Sequence, residues 1–180
     1  MASDERANNL LGALALTLTD RTDAAVRDAA GVSGSDAAAL ITLRNYAEGH
    51  PLEVLRRALA LSHPAVVRVA DRLQARGLVE RRRGEHDGRA VALRLTPAGR
   101  RAADAAGAAR AGAIATSLRA LDAEQVRTLA PLLERMLDAE TVDITASYVI
   151  CRLCDPDGCG HPDRCPVTQA AVALDGQGLE

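Results

Sequence analysis

Apolar residues recur at intervals of three and four along most of the chain, which is the period of an amphipathic α-helix. Helices are predicted over about 4–30, 33–47, 52–60, 62–76 and 96–118, and a further one begins at Asp122. The apolar period changes to two only between 78 and 95, where Val91, Leu93 and Leu95 alternate with other residues. This alternation indicates two short, half-buried strands. The pattern predicts a mostly α protein with a small β-hairpin wing.

Residues that favour helix ends support these boundaries. Side-chain caps or prolines in the first turn mark four predicted starts: Ser33 with Asp36, Ser62 with Pro64, Thr96 with Pro97, and Asp122 with Gln125. Gly77 is placed to end the helix that begins at Ser62. The inward face of that helix is predicted to be Val66, Val69, Ala70 and Leu73.

The order of helices, hairpin and helices predicts a winged helix-turn-helix flanked by N- and C-terminal dimerisation helices. Apolar stripes support the flanking helices: Leu10, Leu11, Leu14 and Leu18, and later Val126, Leu129, Leu132, Leu133, Met136 and Leu137. The predicted organisation is an N-terminal dimerisation helix (1–32), a DNA-binding domain (33–100), C-terminal dimerisation helices (101–147), a cysteine-rich element (148–167) and a frayed tail (168–180). A dimer would place two recognition helices about 34 Å apart on a palindromic site.

Charge is concentrated in the winged segment. The chain carries a net charge of −2 and all 22 of its basic residues are arginine, yet ten arginines face only four acidic residues between Ser62 and Arg101. A confined basic segment in an acidic body indicates contact with double-stranded DNA. The planar arginine fork also suits phosphates and guanine edges.

Targeting and catalytic signals are missing from the sequence. The N-terminus has no basic region before an apolar run, and no run approaches about 18 uncharged apolar residues. We therefore expect a cytoplasmic protein without membrane contact. No nucleophile triad or phosphate-binding glycine loop is present, and we expect no enzymatic activity.

Four pieces of the winged segment occur together in order. They are Ser62, the stretch Val66–Arg82 (VxRxxDRLxxRGLVERR), the tip Asp87-Gly88-Arg89, and LTPAG at Leu95–Gly99. Together they resemble the MarR family of bacterial transcription regulators. The resemblance implies a homodimer, usually a repressor, that binds a palindromic operator. In such proteins a small-molecule effector or an oxidant often alters the spacing of the two DNA-reading lobes.

The resemblance also assigns residue roles. DNA contacts are implied for Ser62, His63, Ala65, Val67, Arg68, Arg72 and Arg82, with Arg89 entering the minor groove and Asp87 steadying the wing. Three features depart from the family pattern: the pair Arg56 and Arg57, Ala60 where a tight turn usually has glycine, and Val67 at a commonly hydroxylated position. Because of these departures, a second function remains open, namely a helical adaptor protein that has the same fold but does not bind DNA.

All four cysteines fall within fifteen residues, spaced C-x2-C-x4-C-x5-C. Two disulfides in one short cytoplasmic loop would be unusual, so the spacing favours a metal. Zn²⁺ would be held by Cys151, Cys154, Cys159 and Cys165, or with His161 in place of Cys159. A [4Fe–4S] cluster is the alternative, since Cys165 precedes Pro166 as in a common cluster ending. A redox thiol switch is a third reading. An alternative function follows, in which the chain is a redox or iron–sulfur sensor and the state of the cluster sets its DNA affinity.

Overall fold

The computed structural model describes residues 2–83 and 91–177, which form helices and one antiparallel β-hairpin. This confirms the predicted fold class. The helices and strands are α1 (Ala2–Ala30), α2 (Gly34–Thr42), α3 (Leu52–Ala58), α4 (His63–Ala75), β1 (Val79–Arg83), β2 (Val91–Leu95), α5 (Pro97–Leu118), α6 (Ala123–Glu140), α7 (Ile144–Cys151), α8 (Pro156–Cys159) and α9 (Pro166–Gln177). A π-helical turn, Leu43–Ala47, continues α2. None of the helices in the described ranges has the length and apolarity needed to cross a membrane.

The core lies among α2, α3, α4 and the hairpin. The predicted inward face of α4 is confirmed, because Val66, Val69, Ala70 and Leu73 are all buried. Fully buried side chains from the neighbouring elements meet it: Leu40, Leu43, Leu55 and Leu93. Each such side chain contributes about 1.5–3 kcal/mol by leaving water. The long helices α1 and α5 pack along each other beside this core.

The hairpin follows the predicted alternation at one end only. Leu93 and Leu95 are buried as expected, but Val91 is 47% exposed and Ala92 only 1% exposed. Ala92 also forms a β-bridge with Pro51, so the segment before α3 pairs with the hairpin. This contact between distant segments explains why burial does not alternate along the whole strand.

Two predicted helix starts have the expected capping bonds. The Gly99 amide donates to the Thr96 hydroxyl oxygen over 3.0 Å at the start of α5. At the start of α6, Asp122 and Gln125 form a reciprocal capping box. Such caps satisfy amides that have no partner within the helix.

The capping box predicted at Ser33 and Asp36 is wrong. Ser33 is the N-cap residue of α2, but its side chain makes no capping hydrogen bond. Asp36 instead accepts hydrogen bonds from Arg72 of α4. Ser62 likewise precedes α4 without a side-chain cap. The Asp36 carboxylate binds the charged Arg72 side chain of α4 and does not cap the end of α2.

The prediction of a frayed tail over 168–180 is also wrong for residues through Gln177. Helix α9 occupies this part of the chain and packs against α6 and α7. Val167 and Ala171 are buried, at 2% and 3% exposure. Their spacing of four residues was the available signal for a helix.

The turn between α3 and α4 offers a stability test. Ala60 has a φ of +51°, a conformation that strains residues with a Cβ atom. We expect Ala60→Gly to raise the free energy of unfolding by about 0.5–1 kcal/mol, because relief of strain exceeds the added entropy of the unfolded chain. Urea unfolding followed by circular dichroism measures this. Ala75→Gly, at the exposed end of α4, should instead destabilise, and a loss of stability in both variants would contradict the expectation.

Candidate functional site

Helix α4 exposes one face opposite the face that it buries. Arg68 is exposed there, and within residues 2–83 and 91–177 it makes no hydrogen bond or ion pair. The other residues expected at this surface are also accessible: Ser62 and His63 are exposed, and Ala65 and Val67 are half-buried. We call these five residues the reading face. An unpaired guanidinium on such a surface is free to bind a phosphate or a base edge.

Arg72 has a different environment from Arg68. Its Nη2 atom lies 2.5 Å from Oδ1 of Asp36, and its Nε atom also bonds the same carboxylate. The hydrogen bond to Asp36 raises the pKa of Arg72. The Asp36 side chain is only 14% exposed, so the pair joins α2 to α4 at the edge of the core. The sequence analysis missed this pair, because the two residues are 36 positions apart.

The first strand of the wing is tied to α4 by another arginine. Arg81 donates to Asp71 over 2.6 Å and to Gln74 over 2.7 Å. Arg82, expected to contact DNA, is exposed and pairs with Glu80 on the same strand at 3.0 Å. The expected contacts Asp87 and Arg89 at the wing tip lie outside the described residues.

The two arginines of α3 that depart from the family pattern share one acidic partner. Glu53 accepts from Arg56 at 2.6 Å and from Arg57 at 3.0 Å. These hydrogen bonds lower the pKa of Glu53 to about 2. Arg56 also donates to the Leu61 carbonyl oxygen over 3.2 Å, which braces the turn into α4. The pattern of residues three and four apart could have indicated these pairs.

Two helices expose apolar faces. Leu10, Leu11, Leu14 and Leu16 of α1 are 47–70% exposed, and α6 buries no residue in the isolated chain. Four large side chains of α6 remain accessible: Leu132, Leu133, Met136 and Leu137. Contiguous apolar surfaces of this kind mark protein interfaces.

The four cysteines line one cavity of about 370 Å³, as the sequence analysis expected of a shared site. We call this cavity the thiol pocket; its wall includes Cys151, Cys154, Cys159, Cys165, His161, Asn45, Tyr46 and Tyr148. All four thiols are free, and contacts link Cys151 to Cys154 and Cys165, and Cys165 to Cys159. As they stand, no three His, Cys, Asp or Glu side chains in the described part of the chain are arranged to hold a metal ion.

Ionisation is uneven among the thiols. A hydrogen bond from Cys151, with the charges of Arg110 and Arg152, lowers the pKa of Cys154 to about 6. The same hydrogen bond, together with burial, raises the pKa of Cys151. The pKa of Cys165 is lowered as well, by hydrogen bonds from Thr168 and Cys159, so Cys154 and Cys165 are the two thiols of the pocket that ionise more readily than an ordinary cysteine.

The thiol pocket contacts α2 and the π-helical turn that precede the helix-turn-helix. The Thr42 hydroxyl donates to the Arg152 carbonyl oxygen over 2.9 Å, and the Asn45 side-chain amide donates to the Cys154 carbonyl oxygen over 2.6 Å. Among the described residues the buried Tyr46 hydroxyl makes no hydrogen bond of normal geometry, although the Thr42 side chain lies near it, and burial raises the pKa of Tyr46 to about 12. Helix α7 also packs against α3. No sequence pattern indicated these contacts, which span about 110 residues.

A model of a known protein family matches the winged segment. Residues 30–90 match the model described as the MarR family. No curated protein sequence matches the chain. The structural neighbours whose descriptions give a role are transcription regulators, which agrees with the expectation of a protein without enzymatic activity.

Solved structures share the fold. The MarR family protein Rv2887 of Mycobacterium tuberculosis, in complex with DNA, is 25% identical, with a TM-score of 0.58 over 72% of this chain and 95% of its own. A MarR-family transcriptional regulator from Rhodococcus sp. RHA1 is 22% identical, with a TM-score of 0.58 over 74% and 94%. CouR from Rhodococcus jostii RHA1, bound to p-coumaroyl-CoA, is 23% identical, with a TM-score of 0.58 over 71% and 88%.

Proposed function

We propose that this chain, a MarR-family winged helix-turn-helix protein, binds a palindromic DNA operator as a homodimer and represses transcription. The observation that carries the proposal is the reading face of α4, with Arg68 exposed and unpaired within the described residues. A helix presented in this way fits the major groove, where an arginine reads guanine by two hydrogen bonds. Work on chromosomal DNA would place the protein in the cytoplasm.

The arginines of the winged segment divide into two groups. Arg68 is assigned to base reading. Arg72 is assigned mainly to holding α4 against α2, because its guanidinium is paired with Asp36. Arg81 is assigned to holding the wing against α4 through Asp71. The wing tip, with Arg89 and Asp87, is proposed to follow the minor groove as the family resemblance implies.

The homodimer is supported by the exposed leucines of α1 and α6. Burying these faces against a second copy would remove a large apolar area from water. It would also join two copies of α4 in one particle, which a palindromic site requires.

A small-molecule effector is also proposed. A cavity of about 280 Å³ lies between α2 and α5, lined by Ile41, Arg44, Asp104, Arg110 and Leu153 among others. Its size approaches the lower end of the range for ligand pockets, and its lining carries both charges, with Arg44 paired to Asp104 at 2.7 Å. This region joins the DNA-reading core to the long helix, so an occupant there would alter the spacing of the two lobes.

A gel-shift titration on the DNA upstream of the chain's own gene tests the proposal. We expect binding at about 50 mM salt that weakens steeply as salt rises. We expect Arg68→Ala to lower the affinity at least about thirtyfold, because each bidentate base contact is worth about 1–3 kcal/mol and the homodimer loses two of them.

Arg119→Ala is the matched control for Arg68→Ala. Arg119 is exposed and follows α5, about 33 Å along that helix from the wing. It should retain the affinity of the unmodified chain. Absence of DNA binding at about 50 mM salt would overturn the proposal in favour of a helical adaptor, in which the pairing of Arg72 with Asp36 serves the fold alone.

A further inference from the structure

We propose that the thiol pocket binds a metal centre through Cys151, Cys154, Cys159 and Cys165, and that the bound centre sets the position of the helix-turn-helix. The centre is a single Zn²⁺ ion or a [4Fe–4S] cluster, since both take four thiolate ligands. The regulatory part rests on the proposed function. The metal site does not, because metal content is measured without DNA.

The four thiols line one cavity, but they are not yet arranged around a single point as the ligands of a bound metal would be. They come from the end of α7, the turn after it, the end of α8 and the residue before α9. Contacts already link Cys154, Cys151, Cys165 and Cys159 in that order around the pocket. Because these ligands lie on turns and helix ends, a metal can draw them together as it binds. We call residues 151–165 the ligand loop. Metal binding would then fold this loop more tightly.

The surroundings suit an anionic centre. Four thiolates around Zn²⁺, or around a cluster core of charge +2, leave a net charge of −2. Arg110 and Arg152 lie close enough to Cys154 to offset part of that charge, against the opposing carboxylates of Asp155 near Cys154 and Glu134 near Cys159. Tyr46 lines the pocket with a buried hydroxyl that has no hydrogen-bond partner within the described ranges, and a thiolate or sulfide sulfur would accept its hydrogen bond. Sulfur hydrogen bonds of this type also tune cluster potentials.

The ligand loop is attached to the DNA-reading domain at both ends of one short segment. Thr42 holds the carbonyl oxygen of Arg152, and Asn45 holds that of Cys154. Thr42 is fully buried, so it cannot follow a movement of the loop without disturbing α2. Helix α7, which ends at Cys151, packs on α3, the first helix of the helix-turn-helix. Closing the loop around a metal would therefore move α3 relative to the long helices.

The metal site is tested on the full chain. Protein purified without oxygen is analysed for metals, and metal-free protein is reloaded with Zn²⁺ or with equal amounts of Fe²⁺ and Fe³⁺ together with sulfide, which gives a cluster core of charge +2. We expect either about one zinc per chain and no colour, or about four iron atoms and a broad absorption band near about 400 nm. Less than about 0.2 metal centres per chain in both preparations overturns the site, as does a pocket that only forms disulfides.

Ligand variants separate the two possible ligand sets. Cys154→Ser and Cys159→Ser should each lose the metal, whereas His161→Ala, on the same pocket wall, should keep it. Circular dichroism shows whether each variant is folded. Because two cysteine variants are made, the test still works if one of them is unstable. Retention of the metal in both serine variants would overturn the four-cysteine site. Loss in His161→Ala with retention in Cys159→Ser would also overturn it, in favour of the set that includes His161.

The regulatory part is tested by the operator affinity of loaded and metal-free protein. We expect the two forms to differ about tenfold in the unmodified chain. Asn45→Ala should keep the metal and its absorption spectrum but reduce this difference to less than about threefold. If Asn45 only supports the fold, the ratio of the operator affinities of loaded and metal-free protein stays unchanged in Asn45→Ala. That result overturns the positioning role of Asn45. Equal affinities in the unmodified chain overturn the regulation. Absence of DNA binding in both forms refutes the proposed function and its regulation, but leaves the metal site standing.

Discussion

Replacing Leu133 and Leu137 by aspartate is expected to convert the dimer to a monomer and to lower operator affinity at least about a hundredfold. Both side chains are accessible in the isolated chain, at 44% and 38% exposure. In a two-fold dimer each substitution is made twice, and each buried leucine contributes about 1.5–3 kcal/mol. Because about two fifths of each side chain remains to be buried, the four lost leucines account for about 2–5 kcal/mol of dimer stability, and four carboxylates placed in the interface add to that loss. A monomer carries one reading face, so it loses the effective concentration that the second half-site supplies.

Analytical ultracentrifugation measures the dimer, and the gel-shift titration measures the affinity. Arg135→Asp, on the opposite side of α6, makes the same change in net charge as the two leucine substitutions. It should stay dimeric and bind DNA with no more than a small salt-dependent loss. A double variant that remains dimeric with unchanged affinity would contradict the assignment of α6 to the interface.

The sequence predicts best where a structure depends on neighbouring residues. The buried face of α4 follows from a period of 3.6 residues, and Val66, Val69 and Leu73 are all found in the core. The capping box of Asp122 and Gln125 likewise needs only residues three apart. These features form from local geometry, so the chain encodes them within a few residues.

The pattern of apolar and polar residues could not predict contacts between residues that are far apart in the sequence. Asp36 has the right spacing to cap α2 with Ser33, but Arg72 offers a stronger, charged partner. Only the packing of α2 on α4 brings the two together. The same limit applies to the thiol pocket. Cysteine spacing indicated a shared site, whereas Thr42 and Asn45, which attach that site to the DNA-reading domain, come from a helix about 110 residues earlier.

Gly99→Ala is expected to destabilise the chain by more than about 3 kcal/mol, because the added methyl group has no space. A Cβ atom at Gly99 would lie 1.8 Å from the carbonyl oxygen of Leu78. That oxygen already accepts hydrogen bonds from the Thr96 amide and hydroxyl, at 3.1 and 3.3 Å. The clash is with backbone and not with a flexible side chain, so relief requires α5 to move away from the start of the wing. The glycine in the sequence LTPAG is therefore explained by the close approach of two backbones.

Gly112→Ala is the control for Gly99→Ala, because it makes the same change in the same helix. Gly112 is exposed, and a Cβ atom there meets nothing within 4 Å. It should raise the free energy of unfolding by about 0.5–1 kcal/mol, since alanine favours a helix over glycine. Urea unfolding, followed by helical circular dichroism, gives both values. If Gly99→Ala unfolds at the same urea concentration as the unmodified chain, the junction of α5 with the wing is looser than the 1.8 Å approach requires. The wing could then not be held by α5 in a fixed position beside the reading face.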